Sequence, residues 1–174
     1  MSNPRHVLIV GAGIIGASIA LSLARAGARV TVFDANQPGG TATRNSWAWI
    51  NASWGNPRHY VRLRTRAMQE WHRLERALPE LRVSWSGGLN WEHPSDQLQR
   101  FAAEHARWGY DIRCVGRDEA SHIEPNLAAP PDLAVHAPGE GAIEPLEAAR
   151  AILAAAVRLG CTVITNHPDR KSVV

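Results

Sequence analysis

Apolar residues change their period several times along the chain, and each change predicts a different element. The largely apolar run His6–Val10 is stopped by Gly11, which predicts a short strand buried on both faces. Over residues 14–26, Ile15, Ile19 and Leu23 recur at helical spacing together with Ala20 and Ala24, and Gly27 supplies the stop. Arg29–Phe33 then reads as a second strand. The stretch after Pro38, with Gly39, Gly40 and small polar residues through Ser46, predicts a loop. Asn56 is placed to cap, and Pro57 to begin, a long amphipathic helix whose stripe is Tyr60, Leu63, Ala67, Trp71, Leu74 and Leu78.

Residues 83–91 have strand character broken by Gly87 and Gly88. Ser95 is placed to cap a helix with Leu98, Phe101, Ala102, His105 and Trp108 inside, and a strand follows near 112–115. The proline-rich stretch 125–138 is irregular with one strand. An alanine-rich helix over 145–159 is ended by Gly160, and residues 161–165 return to strand character. Strand, helix, strand, a long excursion, then helix and strand make an interrupted α/β plan.

The first turn of that plan carries the chemistry. Gly11-Ala12-Gly13-Ile14-Ile15-Gly16 lies between the predicted strand and helix, the context a dinucleotide-binding turn requires. In that role Gly11 makes the tight turn, Gly13 admits the pyrophosphate, and Gly16 lets helix and strand pack closely. The free N–H groups at the helix start favour phosphate. Asp34 ends the second strand eighteen residues after Gly16, placed to accept hydrogen bonds from an adenosine ribose. A carboxylate there disfavours a 2′-phosphate, so FAD or NAD is expected over NADP. The glycines alone do not choose between the two.

Composition removes other classes. The net charge of +3 is spread without basic blocks, so no nucleic-acid partner is expected. The apolar runs are too short for a transmembrane segment, and no signal peptide opens the chain, so the expected location is cytoplasmic. Cys114 and Cys161 are too far apart for a zinc spacing and read as buried structural thiols; the eight histidines form no metal motif. The arginines at 58, 62, 66, 73 and 76 read as a solvated helix face.

Residues 6–34, with Gly39-Gly40-Thr41-Ala42-Thr43-Arg44-Asn45-Ser46 close behind, resemble the opening of the D-amino-acid oxidase family of flavoproteins, glycine oxidase above all. Ile123-Glu124-Pro125 and Gly139-Glu140-Gly141-Ala142-Ile143-Glu144-Pro145 are similar to later elements of that family. The resemblance covers residues 5–168 and selects FAD as cofactor. It implies that Ile14 and Ile15 lie at the pyrophosphate, Asp34 and Ala35 at the adenosine, and Ala42 and Thr43 beside the phosphates. Arg44 would neutralise a phosphate, with a solvated loop arginine as the alternative, Ser46 would donate a hydrogen bond to one, and Trp47, Ala48 and Trp49 would approach the flavin. Trp47 and Trp49 stand where glycine oxidase has small residues. Two readings stay open for them: a ring against the isoalloxazine, or core residues on a buried strand.

The implied fold is a Rossmann-like FAD/NAD(P)-binding domain interrupted by an α+β substrate-domain segment and truncated. The expected division is residues 1–56 for the first βαβ unit and flavin loop, 57–143 for a helical linker and partial substrate domain, and 144–168 for the return to the FAD-binding domain. Residues 169–174 contain the single lysine, Lys171, after eighteen arginines. They read as a non-native tail resembling translated sequencing adapter. The implied activity is oxidation of the CH–NH group of a small amino acid or amine, a D-amino acid, glycine or sarcosine, to an imine that water hydrolyses. Either oxygen or a membrane electron carrier would be the electron acceptor. Catalytic residues are expected beyond this chain and none is assigned. The alternatives are a non-catalytic FAD-binding subunit of a split oxidoreductase and an NAD-dependent dehydrogenase.

Overall fold

The computed structural model describes residues 5–53 and 55–168. The expected tail at 169–174 lies outside them. Two compact units emerge. The first comprises the chain up to Ala48, Leu74–Arg82 and the chain from Ile143 onward; the second comprises Trp49–Arg73 and Val83–Ala142.

The first unit is built on a parallel sheet in the order β1 (His6–Val10), β2 (Arg29–Phe33), β8 (Thr162–Ile164). Val7 pairs with Val30 and Ile9 with Val32, while Val32 pairs with Val163. Helices α1 (Ile14–Arg25) and α6 (Pro145–Arg158) pack on each other. Their buried residues are mostly small: Gly16, Ala17 and Ala20 on α1, and Ala148, Ala149, Ala155 and Ala156 on α6. Such side chains let helices approach closely, and Leu21, Ile152 and Leu153 supply the bulk, each stabilising by about 1.5–3 kcal/mol when buried. Gly27 and Gly160 follow the two helices at φ +80° and +93°, the left-handed conformation that ends a helix most cheaply with glycine.

Two expectations for this unit fail. β1 is not buried on both faces, since Leu8 is 61% and Val10 69% exposed. The strand lies at the edge of its sheet, and only the Ile9 side is covered: Ile9 is buried, its methyl close to Gly16 of α1. On α1, Ile15 and Ile19 face outward, and the buried stripe is Gly16, Ala17, Ala20 and Leu21.

The second unit holds an antiparallel sheet in the order β4 (Gly88–Asn90), β6 (Leu133–Ala137), β5 (Arg113–Gly116). Helix α4 (Ser95–Arg107) covers it with Leu98, Ala102 and His105. Ser95 is the first helical residue, and the cap position belongs to Pro94, whose carbonyl accepts the amides of Gln97 and Leu98. A short helix α5 (Arg117–Ile123), absent from the sequence pattern, is held by a cluster of Val115, Ala120 and Ala134 against which Leu89 and Ile123 pack. A two-stranded ribbon joins β3 (Trp49–Ile50) to β7 (Gly141–Ala142), with Ser84 bridged to Ala142.

Helix α3 (Arg58–Ala77) starts beside the Pro57 carbonyl, which accepts the amides of Tyr60 and Val61. Its inner face is set by Val61 and Met68. Tyr60 and Leu63, expected inside, are 43% and 63% exposed. Cys161 is buried, whereas Cys114 is half-buried. Among the described residues no helix is long and apolar enough to cross a membrane.

Candidate functional site

The glycine turn and the loop after β2 close on each other in the first unit. Gly11 has φ +102° and its amide donates to the Phe33 carbonyl at 2.7 Å, which ties the turn to the end of β2. A Cβ on Gly16 would run into the carbonyl oxygen of Gly11. Gly16 is therefore required by backbone packing. A Cβ on Gly13 would meet only the Thr43 hydroxyl, at 3.0 Å.

The second loop is tied to the first by three observations. The Gly39 amide donates to the Ala12 carbonyl at 3.0 Å, Gly40 lies against Gly13, and the Ile14 amide donates to Thr43 Oγ1 at 3.1 Å. Gly40, at φ +55°, precedes a single helical turn, α2 (Thr41–Arg44), inside what the sequence predicts as loop. The hydroxyl of Thr43 thus satisfies the first amide of α1, while the next amides, of Ile15 and Gly16, have no acceptor within the helix. No acidic residue occupies this first turn. The site keeps the positive end of the helix dipole available to an anion.

An open groove of about 490 Å3 runs between the two loops. Of the residues singled out in the sequence, Gly11, Gly13, Ile14, Ile15, Gly16, Ala42, Thr43 and Ser46 line it. Ala12 lies beneath the turn, fully buried. Gly40, Thr41 and Ile19 also line the groove and were not expected as contacts. Outward-facing Ile19, one turn beyond Ile15, was the signal available for the last.

Asp34 is 8% exposed and engaged with its own chain. Oδ2 accepts the Ala12 amide at 2.6 Å and Oδ1 accepts the Asn36 amide at 2.8 Å. The carboxylate that the sequence assigns to a ribose therefore also braces the glycine turn; each oxygen retains a lone pair. Ala35 is exposed beside it. Arg44 is exposed and outside the groove lining.

Ser46 Oγ accepts the Ala48 amide at 3.0 Å, leaving its own hydrogen free to donate. Ala48 stands at φ +48°, a conformation that costs a residue with a Cβ about 1–2 kcal/mol. Trp47, between them, is 81% exposed, so the core reading is wrong for this residue. Trp49 belongs to the second unit, half-buried in β3 with its ring 3.4 Å from where a Cβ on Gly88 would stand.

A parallel α/β unit with a glycine turn, a braced acid and a groove at a helix N-terminus defines a dinucleotide-binding protein. The comparisons narrow the class. Residues 6–171 match the model of the family described as FAD dependent oxidoreductase (DAO), and the chain belongs to that family. The uncharacterized oxidoreductase YurR of Bacillus subtilis (strain 168) is 29% identical over 94% of this chain and 47% of its own length. Glycine oxidase from Geobacillus kaustophilus superposes with a TM-score of 0.83 at 25% identity, over 93% of this chain and 47% of that one. Iminodiacetate oxidase from Chelativorans sp. BNC1 superposes with a TM-score of 0.78 at 30% identity, over 92% and 46%. The chain thus spans about half the length of the relatives it matches.

Proposed function

We propose that this chain carries the FAD-binding site of an oxidoreductase acting on the CH–NH group of a small amino acid or amine, of the D-amino acid, glycine or sarcosine type. The observation that carries the reading is the family match across residues 6–171, which spans both compact units and therefore far more than a glycine turn. The groove suits the cofactor: Gly13 and Gly40 line it without side chains, and its wall includes the start of α1.

In this reading Gly11 to Gly16 and Ala42, Thr43 and Ser46 hold the pyrophosphate, with amides and hydroxyls as donors. Asp34 and Ala35 take the adenosine, Asp34 through the lone pairs its two amides leave free. Arg44 adds positive charge nearby without entering the groove wall, and Trp47, Ala48 and Trp49 face the flavin. When bound, FAD supplies the acceptor for the hydride taken from the carbon beside the substrate nitrogen. The residues of this chain bind and orient it.

Titrating FAD with the purified chain while following flavin fluorescence tests the assignment. Saturable quenching at one flavin per chain, resistant to NAD, supports it. Absence of quenching defeats it. Anaerobic addition of glycine, sarcosine or D-alanine to a flavin-loaded protein that spans the full length of these relatives tests the substrate class, with bleaching of the flavin absorbance as the positive result.

A further inference from the structure

Beyond the groove, the second unit contains a segment held in an unusual way. β3 ends at Ile50, and the next three residues, Asn51, Ala52 and Ser53, belong to no regular ladder. Each is instead held by a side chain distant in sequence. Arg64 of α3 donates from Nε to the Asn51 carbonyl at 2.8 Å and from Nη2 to Asn51 Oδ1 at 2.7 Å. The Ala52 amide donates to the Tyr110 hydroxyl at 3.2 Å. The Ser53 amide donates to Glu140 Oε1 at 3.3 Å, and Tyr110 donates its own hydrogen to the same oxygen at 2.6 Å.

These three side chains come from α3, the turn between α4 and β5, and the turn between β6 and β7. Glu140 is 1% exposed and Ala52 fully buried, so the bonds are shielded from water. A buried carboxyl is expensive to hold unless its hydrogen bonds are all made. Here Oε1 receives both Tyr110 and the backbone, whereas Oε2, in the room that Gly88 leaves by having no side chain, is buried and accepts no hydrogen bond of good geometry. The polar groups are spent on fixing a stretch of main chain.

We propose that Arg64, Tyr110 and Glu140 are positioning residues that clamp residues 51–53, the stretch of chain into which the loop of Ser46, Trp47 and Ala48 runs. The loop runs directly through β3 into the clamp, with only two residues between. The proposal rests on the reading of that loop as part of the cofactor site. It assigns the clamp a role in presenting the loop to FAD, in addition to its place in the core.

The full chain, wild type and Glu140→Gln, Glu140→Ala, Tyr110→Phe and Arg64→Met, would be compared by amide hydrogen exchange at residues 51–53, flavin-fluorescence titration and far-UV circular dichroism. Tyr110→Phe and Arg64→Met each remove hydrogen bonds with little change of volume, so they serve where Glu140→Ala does not fold. Expected are faster exchange at Ala52 or Ser53 and FAD affinity weaker by about fivefold or more, the effect of losing one buried hydrogen bond, in every variant except Glu140→Gln. Glu140→Gln keeps an Oε1 acceptor and should restore both readouts. Faster exchange with unchanged FAD affinity would overturn the positioning role while leaving the cofactor reading intact. A wild-type chain that does not quench flavin at all would overturn the cofactor reading and the positioning role with it.

Discussion

The carboxylate of Asp34 and the amide of Ala12 meet at 2.6 Å, joining the end of the second strand to the floor of the glycine turn. Its other oxygen accepts the Asn36 amide, so one side chain shapes both loops before any ligand arrives. Asp34→Asn presents an NH2 group to one of two backbone donors and leaves that amide unsatisfied. A loss of about 1–3 kcal/mol in urea denaturation is expected, even in the absence of FAD. An unchanged midpoint would mean that Asp34 serves only the ligand.

Gly13 and Gly16 separate packing from binding. A methyl group at Gly16 collides with the Gly11 carbonyl, and backbone cannot move aside without disturbing the turn. Gly16→Ala should therefore lower the melting temperature strongly, by the equivalent of about 2 kcal/mol or more. At Gly13 the obstacle is a side-chain atom, the Thr43 hydroxyl oxygen, which has to give by only a few tenths of an ångström and can keep the Ile14 amide. Gly13→Ala is expected to cost less than about 1 kcal/mol in stability yet to abolish flavin quenching. Equal effects of the two substitutions on both readouts would contradict this division.

The strand, turn and helix around Gly11 were legible because the signals there are local: an apolar run, a glycine fingerprint, and stop glycines that do adopt positive φ at Gly27 and Gly160. What sequence pattern could not supply was the direction of each face. On α1 the bulky Ile15 and Ile19 look like core, but the face turned inward carries Gly16, packed against the Gly11 backbone, with Ala17, Ala20 and Leu21, and α6 packs on the same helix. On α3 the stripe was misplaced because Arg64, polar in the sequence, turns inward to Asn51 while Leu63 faces out.

The clamp was illegible for a different reason. Tyr110 and Glu140 are 30 residues apart and follow no spacing rule; only the antiparallel sheet brings their turns together. Helix α5 was missed likewise, since its support comes from Val115 and Ala134 on neighbouring strands. In the candidate site, the groove-lining role of the fingerprint residues was readable. The self-engagement of Asp34 and the exposure of Trp47 were not.

Ala48 at φ +48° gives a stability prediction independent of ligand. Ala48→Gly removes the Cβ penalty of the left-handed conformation but increases the entropy of the unfolded chain. The first effect is the larger, so a net gain of about 0.5 kcal/mol is expected in chemical denaturation. Trp47→Ala, one residue earlier, should leave stability within about 0.5 kcal/mol because the ring is 81% exposed. Its effect should appear in flavin affinity, which is expected to fall. A large loss of stability with unchanged affinity would place the ring in packing instead.

The last prediction concerns pH. Burial raises the pKa of Glu140, an effect only partly offset by the hydrogen bonds of Ser53, Tyr110 and Trp49. The folded state therefore holds the proton more tightly than the unfolded chain does, and the stability this contributes is present at low pH and lost as pH rises above the ordinary glutamate value. Two buried histidines act in the opposite sense. Burial lowers the pKa of His105 and of His136, so their contribution is lost as pH falls below the ordinary imidazole value. The two effects have opposite sign, and the wild-type curve alone would not separate them. The difference between wild type and Glu140→Gln does, because both share the histidines and only the first has the titrating carboxyl. Denaturation followed upward from the ordinary glutamate value should show wild type losing stability relative to Glu140→Gln as pH rises. A constant difference across that range would mean that the Glu140 proton is bound no more tightly in the folded chain than in the unfolded one.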